Sequence, residues 1–283
     1  MPVTIVSDSC HYLTRELVAA NEIHEVSLYV HRDGDSRREI EITDYRAYYQ
    51  ELGASAELPT TSQPSIGDFL AVYQPLLDAG HEIVSIHLAG GMSGTVRSAE
   101  QAREQLGEAA SRVRVIDSTT ACGGEGLMLL AAAAAARAGA DAEAVAERAR
   151  QARAALKLWF AIDTLEYLRR GGRIGGAQAW LGTALKIKPI LSVESEITPV
   201  ERVRTSRRAV ERLVALLEEC RRDGADAWVI QHIQAPEQAA ALEARGREIF
   251  GTEPAFISEV GPVIGTHVGP GLLGAGGIPR SLL

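Results

Sequence analysis

Near its C-terminus the chain reads Gly265-Thr266-His267-Val268-Gly269-Pro270-Gly271, directly after the apolar run 260–264. An imidazole between glycines at a strand end stands where backbone can approach a ligand closely. Two other segments share this chemistry, Thr60-Thr61-Ser62-Gln63-Pro64-Ser65 and Gly90-Gly91-Met92-Ser93-Gly94-Thr95. Hydroxyls, free backbone N–H groups and an imidazole are what an anion site needs. The anion is either a species formed during acyl transfer or a ligand that is held.

Each segment also has a plainer reading. The Ser93 loop lies between a strand and a helix, as a nucleophile elbow would, but Thr95 takes the last glycine position of G-x-S-x-G. Ser93 and the N–H groups of Gly94 and Thr95 face a helix N-terminus, whose dipole favours a carboxylate or phosphate. The same serine serves equally as an N-cap. Pro64 keeps Gln63 out of helical geometry, which leaves the Thr61 and Ser62 hydroxyls outside the next helix; read alone, the segment is a polar turn. Arg169 and Arg170, followed by Gly171-Gly172-Arg173, complement a helix C-terminus or fork onto a carboxylate. Asp8 and Asp117 each precede a serine at a strand end, where a carboxylate either orients a histidine or forms a turn. A serine hydrolase built from these pieces would use Ser93, His267 and Asp8. The G-x-G-x-x-G pattern at 269–274 lacks the following helix and acidic residue of a dinucleotide fingerprint. No His/Cys/Asp set has metal-ligand spacing, so neither metal nor cofactor is expected.

The elements that would position these residues alternate in the first half. Segments 3–7, 25–30, 82–88 and 113–116 read as strands, and 43–52, 95–106, 127–137 and 141–156 as helices. Ser65 with Asp68 forms a capping box, and Phe69, Leu70, Tyr73, Leu76 and Leu77 then fall on one helical face. The βαβα order implies a parallel sheet with right-handed crossovers. In the second half, 159–162, 228–233 and 255–260 read as strands, 187–193 with 197–203 as a hairpin, and 164–170, 206–222 and 236–250 as helices. The fold class expected is α/β in two domains: a parallel-sheet domain over 1–156 and a mixed α+β domain over 157–283, with the ligand between them.

The 283 residues are 46% hydrophobic and 23% charged, ordinary for a soluble globular protein. A net charge of −8 disfavours generic nucleic-acid binding. No apolar run reaches the roughly 20 residues of a membrane span, and the N-terminus reads as a strand rather than a signal peptide. Three cysteines without pairable spacing favour a reducing cytoplasm.

Taken in order, Ser7-Asp8-Ser9, Thr61-Ser62-Gln63-Pro64, Ser93-Gly94-Thr95 with Ser98-Ala99, Asp117-Ser118, Leu165-Glu166-Tyr167-Leu168 with Gly171-Gly172-Arg173-Ile174, Lys188-Pro189-Ile190-Leu191 and the glycine segment around His267 span nearly the whole chain. In this set the chain resembles the DegV family, the fatty-acid-binding proteins that serve bacterial fatty acid kinase. The resemblance implies two α/β domains with a long-chain fatty acid between them. It places the carboxylate at Thr61 and Ser93, with Ser62 and Gly94 beside them, Arg170 and His267 at the same headgroup, and the tail in an apolar tunnel. It also implies a carrier without turnover of its own, which presents the acid to a separate ATP-dependent kinase subunit that makes the acyl-phosphate. Arg173, Arg202 and Arg204, near the expected mouth, are the candidate docking residues. Transfer of an insoluble ligand makes brief membrane-surface contact an expectation too. Two positions depart from the family pattern: Cys10-His11-Tyr12 precedes Leu13 where an acidic residue is common, and Val96 replaces a common aromatic.

Overall fold

The computed structural model of the chain describes residues 1–182 and 187–283. In chain order its first half holds β1 (Val3–Asp8), α1 (Arg15–Ala20), β2 (His24–Val26), β3 (Tyr29–Arg32), β4 (Asp35–Arg38), α2 (Tyr45–Ala54), β5 (Thr60–Ser62), α3 (Ile66–Asp78), β6 (Glu82–His87), α4 (Thr95–Gln105), β7 (Val113–Asp117), α5 (Gly123–Arg137) and α6 (Ala142–Ala155). There follow β8 (Lys157–Ala161), α7 (Glu166–Arg170), β9 (Lys188–Glu194), β10 (Glu196–Val203), α8 (Ser206–Arg222), β11 (Ala227–His232), α9 (Pro236–Phe250), β12 (Phe256–Glu259), α10 (Pro262–Val268) and β13 (Leu273–Ile278).

The first sheet runs β2–β1–β6–β7, every pair parallel. Its strands are apolar on both faces because helices cover both. Ile5, Val84 and Ile86 meet α5 and α6, while Val6, Ile83 and Val113 meet α3 and α4. The capping box forms as the sequence predicts: Asp68 N–H donates to Ser65 Oγ, and Ser65 N–H donates back to the Asp68 carboxylate.

The second sheet runs β10–β9–β8–β13–β11–β12, and within it only β11–β12 is parallel. Helices α8 and α9 cover its outer face. Helix α5 lies on its inner face and also against β1, so it stands between the two sheets. A helix apolar on all sides belongs in such a place, and α5 is buried throughout 123–133. Its glycines let the second sheet close in: a Cβ at Gly126 would sit 2.9 Å from the Phe256 ring, and one at Gly123 3.0 Å from Val229. One core therefore joins Ile5 and Val84 of the first sheet to Val229, Phe256 and Ile278 of the second half. A small antiparallel sheet, β4–β3–β5, packs with α2 and α10.

Three sequence expectations need correction, and a fourth segment, 273–278, gains an element the sequence did not assign. Segment 25–30 is two strands in different sheets, broken at Ser27-Leu28. Thr60–Ser62 is an edge strand rather than a turn. His267 stands near the end of a helix, not of a strand, because Pro262 at the first helical turn starts α10. The glycine-rich tail 273–278 is the strand β13 in the middle of the second sheet; the glycines before it make turns, Gly269 packing on the Tyr167 ring and Gly271 on Asp163, both at positive φ.

Candidate functional site

A cavity enclosing about 950 Å³ of space free of protein atoms, its open mouth included, lies between the inner face of the second sheet and the layer formed by β5 and α10. Its walls are aliphatic, with Leu28, Leu88, Val193, Ile197, Val263 and Leu272 among them. The mouth is polar. Thr61, Ser62 and Gln63 reach it from β5 and the next loop, Ser93 from the loop before α4, Arg173 from beyond α7, and His267 from the last turn of α10.

Direct contacts hold these groups together. Thr61 Oγ1 and His267 Nε2 are 2.7 Å apart and hydrogen-bonded. Gln63 packs on Gly94, where a Cβ would lie 3.1 Å from the Gln63 amide. Arg173 bonds the Gly171 carbonyl at 2.7 Å and reaches the Met92 carbonyl at 3.5 Å, which brings it beside Ser93. Ser62 Oγ bonds His31 Nε2 at 2.8 Å. Ser93 is not the N-cap, which is Gly94; its Oγ accepts from Thr95 N–H at 3.3 Å and bonds Thr95 Oγ1 at 2.8 Å.

His267 is neutral at pH 7. Burial, then the nearby positive charge of Arg173, lower its pKa from 6.5 to about 4. Its Nδ1 is buried without a hydrogen-bond partner among the described residues, against a Gly171 backbone that leaves no room for a Cβ. The permanent positive charge at the mouth is therefore Arg173.

The helix that carries His267 is pinned by residues the sequence did not single out. Glu39, 2% exposed, accepts from Val263 N–H at the start of α10, from Tyr12 OH and from Ser9 Oγ. Burial outweighs those donors and raises its pKa from 4.5 to about 7. Tyr49 OH donates to the Val260 and Gly261 carbonyls, and Tyr48 OH meets Thr266 Oγ1. Tyrosines are useful here because each combines a large apolar body with one polar tip. The adjacent pair Tyr48-Tyr49 in a chain of 5% aromatics was a usable signal; Glu39 carried none.

The arginines divide differently from the expectation. Arg170 does not line the cavity; it donates to the Ala56 carbonyl at 2.6 Å and borders an adjoining hollow that shares Thr61, Arg173 and His267 with it. Arg173, expected at a docking surface, lines both that hollow and the cavity. Arg202 stacks its guanidinium 5.3 Å from the centre of the Trp180 ring, and Arg204 is exposed; neither borders the cavity.

The hydrolase arrangement is not assembled. Asp8 accepts from Cys10 N–H and Leu88 N–H at 2.9 Å each and faces His87 Nδ1 at 3.3 Å, deep in the first sheet. His87 continues to Ser85 and Tyr73 in a fully buried chain. Ser93 is bonded to Thr95 and His267 to Thr61. Asp117 holds the Gly90 and Thr119 N–H groups, a turn-forming role. Among the described residues no group of three His, Cys, Asp or Glu side chains could hold a metal, and no helix is long and apolar enough to cross a membrane.

Comparison with known proteins agrees with this architecture. The family model described as an uncharacterised protein, DegV family, matches residues 2–280. Protein DegV of Bacillus subtilis is 36% identical over 279 residues, covering 97% of this chain and 98% of its own. A DegV family protein from Thermus thermophilus, described as fatty acid binding, superposes with a TM-score of 0.89 at 34% identity, over 99% of this chain and 100% of its own. The crystal structure of Bacillus subtilis DegV, also described as a fatty acid binding protein, gives a TM-score of 0.89 at 33% identity with the same coverage. With a family match that runs almost end to end and relatives that share both sequence and fold over their full lengths, this chain belongs to the DegV family.

Proposed function

We propose that the cavity holds a long-chain fatty acid, carboxylate at the mouth and tail along the aliphatic walls. The observation that carries this reading is a largely apolar cavity with hydroxyl, imidazole and guanidinium groups gathered at its mouth. Fatty acid binding by the Thermus and Bacillus relatives supports it. A carboxylate leaving water needs charged or hydrogen-bonding partners; Thr61, Ser62, Ser93, the Gly94 backbone and Arg173 supply them. Neutral His267 acts as an orienter. With its Nε2 donating to Thr61 Oγ1, the Thr61 hydroxyl hydrogen is free for the ligand. Burying a tail of sixteen or so carbons gains on the order of 12 kcal/mol gross at about 0.8 kcal/mol per methylene, reduced by ordering and headgroup desolvation.

In this reading the protein is a non-enzymatic carrier of the cytoplasm, with a first unit over 1–156, a second over 157–283 and the ligand at their junction. It presents the acid to a separate ATP-dependent kinase subunit, docked near Arg173, Arg202 and Arg204, and meets membrane surfaces only transiently. Mass spectrometry of the denatured purified protein should release a fatty acid, and calorimetry on delipidated protein should show palmitate or stearate binding. Delipidated protein that binds neither would end the proposal. For the kinase step, charge reversal at Arg202 with Arg204 should leave lipid affinity intact and abolish kinase-dependent acyl-phosphate formation; normal turnover would remove that surface from consideration.

A further inference from the structure

The middle of the second sheet has a floor without side chains. Alternate residues of β13 share a face, and Gly274, Gly276 and Ile278 lie on the one turned toward α5; of the three, Gly274 lines the cavity. Gly274 pairs with Phe160 on β8 and Gln231 on β11, and Gly276 pairs with Leu158 and Val229 on the same two strands. All four flanking residues line the cavity. They flank a glycine floor that meets the cavity at Gly274, beyond which α5 packs over the sheet. Gln231 is a fixed wall: its Nε2 donates to Ser258 Oγ at 3.0 Å and to the His11 carbonyl at 3.3 Å. Ile278, fully buried in the core around α5, takes the next position on the same face.

The two glycines are there for different reasons. At Gly276 a Cβ would collide with the Lys157 carbonyl and the Leu158 backbone, so the fold itself requires glycine. At Gly274 the nearest atoms to a Cβ would be Phe160 Cβ at 3.4 Å, the Trp159 carbonyl oxygen at 3.5 Å and the Gln231 carbonyl oxygen at 3.8 Å, which is ordinary contact. Its φ is not in the left-handed region. Glycine inside a strand weakens it and often marks a close approach by a ligand. No neighbouring protein atom accounts for glycine at 274, and the space above it belongs to the cavity.

We propose that Gly274 is the gauge of the tail site. The far part of an acyl chain runs over it between Phe160 and Gln231, and the clearance there sets the length of chain the protein accepts. The inference rests on the fatty acid reading of the cavity, and its test separates the two. Delipidated wild type, Gly274→Ala and Gly274→Val are titrated calorimetrically with decanoate, palmitate and stearate. The alanine variant, whose added methyl meets the protein only at ordinary contact, keeps the fold and serves if the valine variant does not. Palmitate and stearate should bind the variants about tenfold more weakly or worse, as overpacking of a fitted site predicts, with decanoate unchanged. Unchanged palmitate and stearate affinity would overturn the gauge, as would an equal loss for all three acids. Wild type that binds none of them would overturn the fatty acid reading itself.

Discussion

Thr61 and His267 are 206 positions apart and meet in a 2.7 Å hydrogen bond at the mouth of the cavity. Each has one substitution that isolates its part. Thr61→Val keeps the shape and removes the hydroxyl; hydrogen bonds to a charged group are worth about 1.5–3 kcal/mol, so fatty acid affinity should fall about tenfold or more by calorimetry. Arg173→Ala should weaken binding comparably, while Arg170→Ala, whose side chain faces the Ala56 carbonyl, should stay within a factor of about three; the reverse order would return the headgroup to Arg170. His267 makes a pH prediction. Its folded pKa, about 4, is below the ordinary 6.5, so the unfolded chain binds more protons between those values and stability falls as pH drops through that window. Compared with wild type, His267→Gln should lose less stability between pH 6.5 and 4 in denaturant titrations. The hydroxyls and the imidazole were named from the sequence, though each had a plainer local reading as a cap or a turn; what gathers Thr61, Ser62, Ser93 and His267 around one cavity is the fold. The choice between Arg170 and Arg173 was not, since it depends on how the chain reverses at Gly171-Gly172, a matter of backbone direction that residue type does not encode.

Helix α10 is seven residues long, too short to hold its place unaided. Glu39, Tyr12, Tyr48 and Tyr49 supply what its length does not. Tyr49→Phe removes the donor to the Val260 and Gly261 carbonyls; it should lower stability by about 1 kcal/mol and weaken ligand binding with the cavity walls untouched. Glu39 gives a slope opposite to that of His267. Its folded pKa is raised from 4.5 to about 7, so its contribution is full below about 4.5 and is lost as pH rises through 7. Glu39→Gln should therefore lose less stability than wild type between pH 4.5 and 7, measured by the same titrations. At this scale the sequence was most readable where local chemistry decides, as in the Ser65–Asp68 capping box and the hairpin of β9 and β10. It was least readable at β13, whose glycine-rich residues carry no strand pattern of their own; the partners that make it a strand lie on β8 and β11, far away in the chain.

Over the whole molecule, the feature with most influence is the helix between the sheets. The α/β class and the two sheets follow from patterning, since a parallel sheet covered on both faces and a mixed sheet leave different apolar periods. The shared core does not, because the alanines and glycines of α5 say that the helix is buried without saying by what. That core predicts that residues 1–156 expressed alone lack a cooperative melting transition by calorimetry, for Leu127, Leu129 and Ala131 would lose the cover of Val229, Phe256 and Ile278. A cooperative fragment would show the first unit to be self-sufficient. The same helix bears on how cargo is exchanged. Two sheets packed to interior density on one shared pillar move as a block, so the fatty acid proposed above would not enter by their parting. The part left to yield is the cap made of α2, the small sheet and α10, held by the Glu39 carboxylate, the tyrosine hydroxyls and an apolar cluster that joins Leu28, Val30 and Leu52 to Leu168, Val193 and Ile197. For the fatty acid proposed above, the polar ties of the cap, whose side chains do not line the cavity, would set the residence time, and such a valve could be retuned without altering what the cavity prefers to hold.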